Sequence, residues 1–417
     1  MEWKEVRLGD VCEIKHGFAY KGDFFSDTPT CDILVTPGNF TLSGGFKLDK
    51  PKYYNGPVEK DYVLSKDDLI VTMTDLSKNI DTLGYSALVP EVKGLTFHHN
   101  QRIGLVENIA NNVDKYFLYW IMRTPAYQSF IATHSSGTTV HHTSPKGIGN
   151  YIFKLPPLAA QRRIASLLSS LDRKIELNNK INADLEEMAQ TIFKNWFVDF
   201  EPFKDGKFVD SELGRIPEGW RVVSLDDLTS KFGTGLNPRK NFVLGHGDNY
   251  YLTIKNMGNN RIYLNNKCDK VDDEALVKIN KRSKLQKGDL LFSGIGTIGR
   301  VAMVVDEPVN WNTSESVFNM HPIDTVSSEF IYLLLLSDKF QQYVQQNAQG
   351  GVQQGIRMAS LKAFQLAIPD NLETFDNLVK PIIGKVKSND KENDTLSALR
   401  DTLLPRLMSG EIEIIEH

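Results

Sequence analysis

Short apolar runs broken by turn residues fill most of this chain, and two long stretches of a different rhythm interrupt them. Near the start, DILV (Asp32–Val35), YVL (Tyr62–Leu64), DLIVTM (Asp68–Met73) and IGLV (Ile103–Val106) are rich in Val, Ile and Leu and are separated by PGN, SGG and NGP turns. Runs of that length and composition predict strands. The scheme returns as YYLTI (Tyr250–Ile254), DLLF (Asp289–Phe292), VAMVV (Val301–Val305) and SVFNM (Ser316–Met320). Each set is followed by one predicted helix, 115–133 in the first and 329–346 in the second, then by a polar glycine-bearing loop and a last apolar run that reaches a proline.

After Pro157 the period changes to that of a helix. Ile164, Leu167, Leu168, Leu171, Ile175, Ile181, Leu185, Met188 and Ile192 recur at spacings of mostly three and four, and no glycine or proline occurs from Leu158 to Phe200. One apolar stripe on a helix of roughly 40 residues, about 60 Å long at 1.5 Å per residue, is the expectation. A stripe that long needs a partner. Leu378, Ile382, Ile383, Val386, Leu396, Leu399, Leu403 and Leu407 supply a matching one after Pro369, flawed by Pro381, Gly384 and Pro405. The favoured reading is an intramolecular antiparallel coiled coil, with Asn178 and Asn393 as polar positions that fix register; the other is that each helix packs on its own domain. Helix-pairing positions are Ile164, Leu168, Leu171, Ile175, Asn178 and Leu185 against Ile382, Val386, Asn393, Leu396 and Leu403.

The two sets are copies. WKEVRLGDV at Trp3 reappears as WRVVSLDDL at Trp220, and DILVTPGNF at Asp32 as NYYLTIKNM at Asn249, both at an offset of 217. KDDLIV at Lys66 matches KGDLLF at Lys287, and the helix at Lys115 matches that at Glu329 with a slightly different offset. Drifting offsets are what loop insertions between matching core elements produce. The expected organisation is a mixed α+β fold: β-rich α/β recognition domains at 1–156 and 220–369 in a pseudo-two-fold arrangement, helical spacers at 157–200 and 370–417, and a linker at 201–219, rich in Gly, Pro and charge.

Length and composition change this picture little. With 417 residues and 41% hydrophobic content the chain can bury real cores, and no apolar run or leader-like start predicts a membrane span or secretion, so a cytoplasmic protein is expected. Three cysteines, Cys12, Cys31 and Cys268, form no CxxC pair. The net charge of −4 argues against a wholly basic nucleic-acid binder, but the acidic excess lies mostly in the helical segments and linker, with the first copy almost neutral and the second slightly positive. Catalytic signatures are missing: GxxxxGK[ST], HExxH, GxSxG and NPP[YF] do not occur, and NPRK at Asn237 is no version of the last. SGIGTIGR (Ser293–Arg300) lacks dinucleotide-fingerprint spacing and reads as a strand–turn–strand corner. His98, His99, His134, His141 and His142 match no standard metal set, so hydrogen-bonding roles are expected and no metal.

The positive signal is in the loops, where matching frames carry different polar side chains. Asn and Gln suit adenine edges, Arg and Lys guanine, and Ser, Thr and His serve several acceptors. In the first copy the DNA-binding candidates are Thr36 and Asn39; Thr74, Ser77 and Lys78; His98, His99, Asn100 and Gln101; and Ser135, Ser136, Thr138, His141, His142 and Lys146. In the second they are Arg239 and Lys240; Lys255, Asn256, Asn259 and Arg261; Ser293, Thr297 and Arg300; Asn312, Thr313 and Ser314; and Gln349, Gln353, Gln354 and Arg357. Solvated loop is the competing reading for each of them.

WKEVRLGDVCEIKHGFAYKG, the segment LPPLAAQRRIA (Leu155–Ala165) opening a helix that ends in IFKNWFVDFEPF, and the junction SELGRIPEGW resemble the specificity subunit of type I restriction-modification systems over nearly the whole chain. The second helical segment, from Ala367, does not carry the PPLxxQ start. The resemblance implies two target-recognition domains reading a split sequence in double-stranded DNA, with a spacer set by two antiparallel helices. It also implies no catalysis and no cofactor in this chain, two modification subunits that carry S-adenosylmethionine and methylate adenine, and restriction subunits joined through the complex. A protein-interaction scaffold that does not read DNA is the alternative.

Overall fold

The computed structural model describes residues 3–75, 77, 80–351 and 354–414. The chain divides into two compact units, Met1–Glu176 with Glu392–His417 and Leu177–Lys391. Each therefore contains one copy of the repeat and part of each helical segment, so the boundaries expected at 157 and 370 do not coincide with the division into compact bodies.

In the first unit the opening strand Lys4–Arg7 pairs antiparallel with the strand that ends the copy, Ile152–Leu155, so the domain closes on itself. A four-stranded antiparallel sheet runs in the order Glu13–His16, Ile103–Glu107, Leu69–Thr72, Ser86–Leu88. Beside it Asp32–Val35 and Thr96–His99 lie parallel, in a five-stranded sheet. The second unit repeats this plan. Arg221–Ser224 pairs with Gln365–Ile368; Thr229–Thr234, Val317–Pro322, Leu290–Ser293 and Val301–Met303 form the four-stranded sheet; Asn249–Leu252 and Trp311–Thr313 form the parallel pair. Leu69, Val71 and Phe117 in one and Leu290, Phe292 and Phe330 in the other are fully buried beneath the helices, as the apolar runs require.

Two small devices recur with the frame. A Cβ on Gly17 would stand 2.1 Å from the carbonyl oxygen of Asn100, and one on Gly235 1.6 Å from that of Thr313, so both sites need glycine for close backbone approach. After the central strand, Asn39 Oδ1 accepts from the backbone N–H and hydroxyl of Thr36, and Asn256 does the same for Thr253.

The helix expected at 115–133 is two, Lys115–Ile121 and Pro125–Thr133. Pro125 cannot continue the first, and Thr124 caps the second by accepting from Tyr127 N–H. Its counterpart breaks at Ser337, which caps Asp338–Asn347 after Ser328–Leu336. The second unit also has a helix not expected from the sequence, Asp273–Ser283. Asp272 caps it, Asp273 and Glu274 fill its first turn and Lys281 and Arg282 its last, each complementing the helix dipole.

The long helices are Leu158–Phe197 and Glu373–Ser409. Pro381, Gly384 and Pro405 do not interrupt the second, and all three are exposed on its outer side. Within each unit the two helices run antiparallel and share the domain's core, so pairing and docking occur together. In the first unit Ile164 and Leu168 join Leu404, Leu407 and Met408 in one cluster with Leu118 and Trp120. Asp172 accepts from Arg400 at 2.6 Å and from Arg123 at 2.7 Å. In the second, Phe193 and Phe197 meet Phe375, Val379 and Ile383 around Phe330, and Asn182 bonds Asp390 and Asn389 at 2.9 and 2.8 Å. Val386, Asn178 and Asn393 are buried, while Leu171, Ile175, Leu185, Ile382, Leu396 and Leu403 are half-buried.

The segment expected to be a plain linker is folded. Phe208–Ser211 and Gly214–Pro217 form a β-hairpin, with Gly214 in the left-handed region, and Phe200 and Phe203 pack on Trp220 with ring centroids 5.4 and 5.0 Å apart.

Candidate nucleic-acid interface

In each unit the frame brings together two loops that lie far apart in sequence. In the first unit the loop after Leu69–Thr72 meets the loop after the helix Pro125–Thr133. His141–His142 pairs antiparallel with Thr74–Asp75, Thr143 N–H donates to the Met73 carbonyl at 3.0 Å, and Ser136 and His142 exchange backbone hydrogen bonds of 2.9 and 2.8 Å. Asp75 is the hub. Its carboxylate accepts from the backbone N–H of Ser77, Thr82 and Leu83 and from the Thr82 hydroxyl. Burial pushes that carboxyl up, and the hydrogen bonds outweigh it, leaving the pKa below the ordinary carboxylate value.

The second unit stitches the corresponding loops in the same way. Ile356 N–H donates to the Gly294 carbonyl at 2.9 Å, Gln349 and Gly355 exchange backbone bonds of 2.8 Å, and Gly296 N–H donates to the Gln354 carbonyl at 2.8 Å. Ser293 Oγ receives Arg300 N–H and donates to the Thr297 carbonyl, closing the SGIGTIGR corner. Both units thus present a composite surface whose backbone is held from within while its side chains differ.

Of the first-unit candidates, Ser136, Thr138, His142 and Lys146 are exposed on or beside this surface, Gln101 is exposed elsewhere, and Ser135 and His141 are half-buried. Ser77 is half-buried and accepts from Asp81 N–H; Lys78 lies outside the described residues. In the second unit Thr297, Gln349, Gln354 and Arg357 are exposed around the stitched loops, Arg239, Lys240, Lys255 and Asn259 are exposed on other loops, and Gln353 lies outside the described residues.

The remaining candidates are corrected by the structure, which places them in the body of the domain, most of them in hydrogen bonds that hold it together. His98 and His99 are buried. His98 Nε2 lies 2.6 Å from Asp32 Oδ1 and His99 Nε2 2.8 Å from the Ile103 carbonyl, so the adjacent imidazoles diverge instead of forming a cluster. Burial lowers the His99 pKa to about 4. Asn100 receives Arg102 N–H, and Asn39, Thr36 and Asn256 belong to the capped turns already described. Asn312, Thr313 and Ser314 are buried, with Asn312 donating to Asn280 and to the Ser283 carbonyl. Ser293 is also buried, and Arg300 donates to the carbonyls of Ile254 and Met257. Arg261 pairs with Asp390 on the long helix at 3.4 Å. Thr74 is buried against His142. Two participants were not singled out from the sequence: Asp75, whose TD dipeptide reads as any polar loop, and Ile295, 38% exposed on the second surface.

Among the described residues no helix is long and apolar enough to cross a membrane. The family model described as the type I restriction modification DNA specificity domain matches residues 1–187 and again 217–392. The chain is 27% identical over 374 residues to the type I restriction enzyme HindI specificity subunit of Haemophilus influenzae, covering 74% of this chain and 80% of that protein. It is 24% identical over 432 residues to the EcoBI specificity subunit of Escherichia coli, covering 98% and 86%. Its fold is similar to the crystal structure of the type I restriction-modification S subunit from M. genitalium, with a TM-score of 0.56 at 14% identity over 98% of this chain and 96% of that one.

Proposed function

The chain belongs to the type I restriction-modification DNA specificity subunits, and on that premise we propose that it reads a two-part target in double-stranded DNA, with an unread gap of fixed length, for enzymes that it recruits. The carrying observation is the pair of matched frames with differently furnished surfaces: Ser136, Thr138 and His142 in one unit stand where Gln349, Gly351 and Gly355 stand in the other. Two such surfaces suit two different hydrogen-bond patterns.

The paired long helices set the gap in this reading. Methyl transfer to adenine, using S-adenosylmethionine, is the work of two modification subunits, and cleavage that of restriction subunits joined through them; this chain binds no cofactor and performs no catalysis. Adenine must leave the duplex to be methylated, so the recruited enzymes grip DNA themselves and supply much of the phosphate contact. That division of labour accommodates a net charge of −4.

The test is to assemble the chain with its modification subunits, expose the complex to a randomised DNA library and map the methylated sites by sequencing. Two specified parts with a constant gap are expected. A contiguous motif, an absence of selectivity, or methyl transfer by the isolated chain would each contradict the proposal.

A further inference from the structure

The stitched surfaces of the two units differ at a matching cross-strand pair. In the first unit Thr74 and His142 are register partners; in the second the corresponding bridge joins Ile295 and Gly355. Gly355 is not required by the fold at that point, because an added Cβ would meet Gly294 O and Ile295 Cγ1 at 3.6 Å, an ordinary contact distance. Gly137, across the first hairpin, is a different case: its φ is +98° and a Cβ there would stand 2.0 Å from the Val140 carbonyl oxygen. The side chain at the His142 position is therefore free to vary with what the surface meets.

His142 is held at both ends of its structure. Its backbone N–H and C=O are both engaged by Ser136, and its Nδ1 lies 3.1 Å from the hydroxyl of Thr74, which is 5% exposed. Among the described residues that hydroxyl makes no other hydrogen bond, and we assign it as the donor to Nδ1. With Nδ1 as the acceptor, the ring N–H is on Nε2 of this exposed residue. A side chain whose far nitrogen is locked from behind by a buried hydroxyl is pre-organised to donate outward.

We propose that His142 is a base-contacting, specificity-determining residue of the first unit, donating from Nε2 to an acceptor on a base edge, and that Thr74 is its positioning residue. The acceptors open to such a donor in the major groove are purine N7, guanine O6 and thymine O4. In the second unit Ile295 and Gly355 stand at the corresponding pair and bring no side-chain donor, while Thr297, Gln349, Gln354 and Arg357 are the exposed polar side chains around it among the described residues. This inference rests on the DNA-reading function proposed above.

The experiment uses the full chain assembled with its modification subunits and the randomised-library methylation map. His142→Ala is expected to relax one base position, in one part of the motif, by about tenfold in relative methylation, the scale of one good base contact. Thr74→Val is expected to relax the same position less, and Thr74→Ser, which keeps the hydroxyl, to restore it. Circular dichroism melting of each variant separates loss of contact from loss of fold, and His142→Gln, which keeps a donor at the surface, is expected to change the preferred base rather than abolish preference. An unchanged motif in His142→Ala, relaxation in both parts, or Thr74→Ser behaving as Thr74→Val would overturn the proposal. If replacing the whole first domain changes one part of the motif while His142→Ala changes nothing, this inference alone fails; if the domain replacement also changes nothing, the DNA-reading function fails with it.

Discussion

Asp172 offers the sharpest energetic test of how the helix pair is fastened in the first unit. Its carboxylate takes Arg123 on one oxygen and Arg400 on the other, joining the recognition domain and both long helices through one side chain. Arg123 is further held by the Ser43 carbonyl at 2.8 Å and lies 4.3 Å over the Trp120 ring. The Arg123, Arg400 and Asp172 side chains are 4%, 12% and 18% exposed, so Asp172→Ala removes the carboxylate between two guanidinium groups, of which Arg400 keeps its exposed partner Asp401 at 2.8 Å. Breaking a buried pair by removing one partner costs about 3–5 kcal/mol, and the residual exposure of Asp172 puts this case at the lower end, about 3 kcal/mol. Asp172→Asn keeps the shape and one acceptor and is expected to lose roughly half of that. Hydrogen exchange is the suitable assay, because a chain of two units does not unfold as one transition. Amides of 118–124, including Arg123 N–H to the Trp120 carbonyl at 3.0 Å, should exchange roughly 100-fold faster in Asp172→Ala. Acceleration below about threefold, or equal acceleration in peptides from 220–369, would refute the reasoning.

Three further outcomes follow from the same geometry. His99 is buried and its pKa is lowered to about 4 in the folded state against 6.5 in the unfolded chain. The unfolded state therefore binds the extra proton first, and the first unit should lose about 3 kcal/mol as pH falls from 6.5 towards 4 and no more from this group below that; denaturation curves of His99→Gln should lack that slope. Gly235→Ala puts a methyl 1.6 Å from the Thr313 carbonyl oxygen, and limited proteolysis should show the second unit destabilised by about 2 kcal/mol with the first unaffected. Adding four residues to both long helices, after Leu177 and after Lys391, should lengthen the unread gap by about 6 Å, or about two base pairs, in the methylation map; an unchanged gap would remove the helices from that role.

The duplication and both long helices were legible because they are written in spacing, which survives substitution. The strands appeared where apolar runs stood, and the second helix ran through Pro381 and Pro405 because both lie on its exposed side. Local punctuation was less legible. Thr124 and Pro125 split a helix whose apolar period continues across them, and the hairpin 208–217 depends on a left-handed Gly214 and on aromatic partners distant in sequence. The candidate surface was legible as two loops but not residue by residue. His98, His99, Asn312 and Thr313 are polar and sit beside loops, yet their backbone belongs to the central parallel strands and their side chains turn inward. Nothing in a single sequence distinguishes an asparagine that ties strand to helix, such as Asn312 to Asn280, from one that faces a ligand. Gln349, Gln354 and His142 were already candidates in the sequence, but the Thr74 hydroxyl behind His142 is visible only once register is known.

In the proposed function the two units read separate parts of one target. The most direct measurement of this is the methylation map of a complex in which residues 3–156 have been replaced by the corresponding domain of another specificity subunit. One part of the motif is expected to change to that of the donor while the other part and the gap stay as they were. A motif that is altered in both parts, or in neither, would contradict it.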